Sequence, residues 1–62
     1  MTYDAFKGAV RAQGLTMEEL AEKMGMTRPT LQGRLEQPKS MTIVEIEKLS
    51  EILGIEGTVI IH

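Results

Sequence analysis

Thr16-Met17-Glu18-Glu19-Leu20-Ala21-Glu22-Lys23-Met24-Gly25-Met26-Thr27-Arg28 is the stretch from which the rest of the chain can be laid out. Thr16 followed by Glu19 fits a capping box, in which the hydroxyl accepts from a backbone N–H three residues on and the carboxylate reaches back to the cap. Leu20, Ala21 and Met24 then recur at helical spacing, and Gly25 supplies the positive φ that stops the helix after about two turns. Thr27 caps a further helix with Pro29 in its first turn, where no intrahelical donor is lost. Leu31 and Leu35, four residues apart, form its inward pair. The pattern predicts a short helix over 16–24, a tight turn, and a second short helix over 28–36.

Outward from this pair the punctuation stays regular. Thr2 can cap a helix over 3–12, with Tyr3, Phe6 and Val10 on one face and Gly14 at its end. Pro38 closes the 28–36 helix, and Gln37-Pro38-Lys39-Ser40 reads as a loop. Thr42-Ile43-Val44-Glu45 is a second capping box and opens a helix over 43–53, with Ile46, Leu49, Ile52 and Leu53 as an apolar stripe and Gly54 as terminator. After Gly57, Thr58-Val59-Ile60-Ile61 is β-branched throughout and predicts a strand over 58–61. A single strand in a helical chain has no ladder partner. Pairing of two tails antiparallel across a two-fold axis would supply one, making Thr58, Val59, Ile60 and Ile61 a dimer interface. A frayed terminus, or a strand against the chain's own N-terminus, are the alternatives. The expected fold class is therefore mainly α, four helices with a short C-terminal β-strand.

Composition narrows the function. Sixty-two residues, 42% of them hydrophobic, suit one small globular domain spanning 1–62 and leave too little chain for a water-excluding pocket. With no cysteine and one histidine, His62, there is no disulfide framework, no thiolate zinc site and no usable His constellation. The expectation is no enzyme activity, no metal, no cofactor and no small-molecule ligand. No apolar run approaches the roughly 18 residues of a membrane span, and no signal-peptide core is present, so no membrane partner and a cytoplasmic location are expected. Net charge is −2, yet its distribution is uneven. Residues 27–40 carry Arg28, Arg34 and Lys39 against Glu36 alone, whereas 17–26 and 41–62 are acidic.

A short helix, a Gly turn and a second short helix make a helix-turn-helix unit. Residues 15–28, with Ile46-Glu47-Lys48-Leu49-Ser50-Glu51-Ile52-Leu53-Gly54-Ile55 further on, resemble the Cro/C1 (lambda-repressor-like, XRE) DNA-binding family over residues 15–55. The resemblance implies a four-helix lambda-repressor-like domain that regulates transcription from a double-stranded DNA operator. Its small size is that of a phage or prophage repressor, one that acts by occupying the operator and excluding polymerase. The family's corresponding positions make Arg28 and Pro29 base-facing. Two positions depart from the pattern: Met17 stands where members often carry a phosphate-bracing Gln, and Gly33 where a base-reading polar side chain is common.

The residues themselves support the same assignment. The first turn of helix 28–36 can enter a major groove ~12 Å wide. Arg28 can make a bidentate contact to guanine, Gln32 can pair an adenine edge, and Pro29 or Thr30 can touch a thymine methyl. Thr27, Thr30, Arg34, Lys39 and Ser40 are the candidates for phosphate contacts. Readout by so few side chains implies a homodimer spanning two half-sites about 34 Å apart. The competing reading is a helix-turn-helix protein–protein interaction module, antirepressor- or antitoxin-like, which the overall acidity favours. The five methionines, Tyr3 and Phe6 read as packing residues, and Glu18, Glu19 and Glu22 as a solvated face.

Overall fold

The computed structural model describes residues 1–62 and contains five α-helices and no strand. They are α1 (Tyr3–Ala12), α2 (Met17–Met24), α3 (Arg28–Glu36), α4 (Ile43–Leu53) and α5 (Gly57–Ile60), with a 3-10 turn at Pro38–Ser40 between α3 and α4. Each of the first four helices starts at a threonine whose hydroxyl accepts a backbone N–H: Thr2 from Ala5, Thr16 from Glu19, Thr27 from Thr30 and Thr42 from Glu45. Both expected capping boxes close, with Glu19 and Glu45 carboxylates accepting from the Thr16 and Thr42 N–H groups.

Helices α1, α2 and α4 end by one device. Gly14, Gly25 and Gly54 lie in the left-handed region at φ 72, 70 and 67°. The next residue's N–H then turns back onto the final turn: Leu15 to Val10 O, Met26 to Ala21 O and Ile55 to Ser50 O, at 3.2, 2.9 and 3.2 Å. That six-residue closure satisfies carbonyls the helix leaves open, and it normally brings an apolar residue after the glycine onto the helix. Leu15, Met26 and Ile55 all pack against the core in this way. Chain reversal and core burial are thus one event at each helix end.

Eleven buried residues, all apolar, form one core: Phe6, Val10, Leu20, Ala21, Met24, Leu31, Leu35, Met41, Leu49, Leu53 and Ile60. Every helix contributes, and no polar side chain is buried. Ala21, on α2, is the smallest of the eleven. Tyr3, Ile46 and Ile52, expected inside, are half-buried at the margin. Two members lie outside the periodic patterns: Met41, just after the 3-10 turn, and Ile60.

The strand predicted at 58–61 is absent; these residues form and follow the single turn of α5. β-branching favours extended backbone only weakly, and the preference gives way to packing. A helical turn satisfies its own donors, with Ile60 N–H on Glu56 O and Ile61 N–H on Gly57 O, both at 3.2 Å. The Met1 ammonium donates to the Val59 and Ile60 carbonyls. In this geometry Ile60 is fully enclosed while Thr58 and Val59 stay exposed and Ile61 is half-buried. α5 approaches α4 closely at Gly57, where a Cβ would sit 3.1 Å from Ile46 Cγ2, tighter than an ordinary contact. An antiparallel pairing of two tail strands through Thr58, Val59, Ile60 and Ile61 is therefore not the arrangement adopted, and Ile60 is committed to its own subunit's interior.

Ile60→Ala is expected to destabilise the chain by about 2–5 kcal/mol, the range for truncating an enclosed aliphatic side chain. That is a large share of the total for a domain this small. Urea denaturation followed by circular dichroism measures it; a loss under 1 kcal/mol would mean that α5 is not docked.

Candidate nucleic-acid interface

Helix α3 is anchored from one side. Leu31 and Leu35 are buried at 1% and 0% exposure, while Thr27, Arg28, Pro29, Thr30, Gln32, Gly33 and Glu36 are all exposed. Nine residues give a rod of roughly 13 Å, with Arg28 and Gln32 one turn apart along its outer surface. Pro29 stands in the first turn, where its missing N–H costs nothing. These are the dimensions and the presentation a major groove requires.

The side chains differ in how free they are. Arg28 forms an ion pair through Nη1 with Glu18 Oε1, in the first turn of α2. The Thr27 hydroxyl, expected to meet phosphate, is turned inward along the helix: it accepts from Thr30 N–H and donates to Thr30 Oγ1 at 3.0 Å. That leaves the Thr30 hydroxyl proton as the outward-facing donor of the pair. Arg34 donates through Nε to Glu45 Oε1 at 3.3 Å, the same oxygen that accepts Thr42 N–H at the start of α4. Arg34 is thus half-buried as a brace between α3 and α4. Ser40 spends its hydroxyl proton on Gln37 O at 2.6 Å, inside the 3-10 turn. Lys39 is exposed in that turn and takes part in no ion pair. Gln32 is exposed without a protein hydrogen bond.

Three residues near this surface were not singled out as contacts from the sequence. Lys7 and Arg11 line an open groove with Val10, Leu15, Thr16 and Met17, beside the start of α2. Arg11 is exposed and unpaired, while Lys7 lies 3.7 Å from Asp4 and over the Tyr3 ring. Their spacing of four on α1 was the available signal, but nothing local shows that α1 brings them to the α2 N-terminus. Glu18 was read as part of a solvated face. Its pairing with Arg28 depends on how the turn at Gly25 sets the two helix starts side by side.

The geometry now in place is that of two short helices held at a glycine turn, the second carrying an exposed first turn. A family model described as Helix-turn-helix matches residues 7–60, all but the first six and last two residues. The chain belongs to the Cro/C1-type helix-turn-helix family. No curated protein and no solved structure gave a match. Membership brings the family's role, DNA-binding regulation of transcription. The helix-turn-helix pair is α2 and α3. Met17, at the start of α2, is half-buried and packs against the core. No helix is long and apolar enough to cross a membrane, and no group of three or more His, Cys, Asp or Glu is placed to hold a metal ion.

Gly33 has no packing reason within the fold: an added Cβ would meet nothing within 4 Å, and its backbone is ordinary helix. A helix-interior glycine costs about 1 kcal/mol relative to alanine. Gly33→Ala is expected to raise stability by roughly 0.5–1 kcal/mol, visible as a higher melting temperature. An unchanged or lower value would show that the α3 backbone is not regular at that point.

Proposed function

We propose that the protein is a sequence-specific repressor that inserts α3 into the major groove of an operator as a homodimer. The observation that carries the reading is the exposure of the α3 first turn, with Arg28, Pro29 and Gln32 outward, Leu31 and Leu35 buried and Arg34 half-buried. Arg28 reads a guanine edge, Gln32 an adenine edge, and Pro29 contacts a thymine methyl. Thr30 and Lys39 are the freest phosphate donors. Thr27 takes part through its backbone N–H at the helix start and Arg34 through guanidinium donors other than Nε, while Ser40, whose N–H and hydroxyl both donate to Gln37 O, would first have to release one of them.

Size supports two subunits. The domain measures 23 × 21 × 19 Å, so one copy cannot reach two half-sites about 34 Å apart along the same groove face. Exposed Ile43, Val44 and Val59 supply apolar surface outside the core for a subunit contact. An interaction module that binds protein instead of DNA would show neither salt nor sequence dependence on duplex DNA.

Selection of bound duplexes from a random-sequence pool tests the reading, and is expected to return a two-fold symmetric motif. On that motif Arg28→Ala is expected to cost about 1–3 kcal/mol and to relax one base preference. Lys39→Ala should weaken all sequences alike and reduce the slope of log K against log salt by about 0.9. Fluorescence anisotropy at several salt concentrations measures both. Affinity indifferent to salt and sequence would sink the assignment.

A further inference from the structure

The Arg28–Glu18 pair is the one ion pair that joins the two helices of the motif. It sits on an exposed surface, with Arg28 at 55% and Glu18 at 64% side-chain exposure, in the part of the molecule that must face an anionic backbone. A carboxylate at such a place lowers attraction to any phosphate, so its presence calls for another role. A surface pair of this kind contributes little to stability. Neither the α2 capping box nor the core depends on it: the box is closed by Thr16 and Glu19.

Geometry supplies the role. Glu18 takes Arg28 through Nη1 alone, leaving Nε–H and Nη2–H unbonded within the protein. Those two donors form the parallel fork that matches O6 and N7 of guanine. A free arginine at a helix start samples many rotamers and can turn to the nearest phosphate, which lies beside every base pair. Held by Glu18, the guanidinium plane is oriented before contact, and phosphate capture requires breaking an ion pair.

We propose that Glu18 is a positioning residue that determines specificity, holding the Arg28 guanidinium so that its free fork reads guanine and its charge is withheld from non-cognate phosphates. The inference rests on α3 being the DNA-reading helix. Loss of the carboxylate then has opposite effects on two quantities: affinity for arbitrary DNA rises, because a like charge facing phosphate is removed, and preference for the base beneath Arg28 falls.

The test is parallel selection from one random-sequence duplex pool by the wild type, E18A, E18Q and R28A, with thermal melting to verify that each is folded. The wild-type motif is expected to contain a guanine that R28A no longer selects. E18A should lose selection at that same position while keeping the remaining positions, with discrimination there reduced about tenfold or more. E18Q keeps an acceptor oxygen for Nη1 and is expected to recover most of the guanine preference, while both variants bind a scrambled duplex more tightly than the wild type. A purely structural role for Glu18 would weaken every position equally and would not separate E18A from E18Q. The proposal is overturned if E18A selects the guanine as sharply as the wild type, or if the guanine that E18A loses is unaffected by R28A. A wild-type pool without any enriched motif would instead overturn the DNA reading itself, and this inference with it.

Discussion

The structure depends on the one-sided attachment of α3. Two leucines, Leu31 and Leu35, are all that this nine-residue helix buries. A helix so short has little stability in isolation and takes its order from the surface it packs on. That surface is built from α1, α2 and the 3-10 turn, with Phe6 and Leu20 fully enclosed in the same core. Because the anchor is narrow, nearly the whole circumference of α3 is left to solvent, and with it every side chain available for recognition. Core packing and presentation of the reading face are two consequences of one arrangement.

Polar contacts then orient what the leucines hold. Arg34 ties α3 to the first turn of α4 through a carboxylate that also caps α4, and Glu18 ties the first residue of α3 to α2. The two arginines of α3 therefore serve different ends. Arg34 is half-buried and its Nε is spent within the fold, whereas Arg28 is exposed and retains a free pair of donors. A basic segment that looks uniform in the sequence is divided by the fold into a half-buried brace, Arg34, and an exposed arginine, Arg28.

Electrostatics fit a partner met on one side only. The acidic residues of α2, α4 and the C-terminal region give the chain its net negative charge, while Arg28, Arg34 and Lys39 stand on α3 and the turn after it, with Glu36 among them. Glu18, in the first turn of α2, is paired with the arginine that opens α3. Such a distribution disfavours indiscriminate attachment to nucleic acid and leaves affinity to depend on matched contacts.

Local chemistry in the sequence determined the helices. Four threonine caps, two capping boxes, three left-handed glycines and the i, i+3, i+4 apolar spacing act over a few residues, and each predicted helix is found within a residue of its expected bounds. The outward turn of α3 was legible for the same reason, since Leu31 and Leu35 specify its inward face and leave the rest. Only the tertiary structure decided the tail, the internal partners of Thr27, Arg34 and Ser40, and the partner of Arg28. Ile60 becomes helical because a core cavity takes its side chain, against the local preference of Thr58-Val59-Ile60-Ile61. Thr27, Ser40 and Arg34 have their polar atoms engaged by groups whose availability depends on local turn geometry or on a distant helix. Glu18 meets Arg28 across ten residues of chain, a distance that sequence spacing does not measure and that the turn at Gly25 sets.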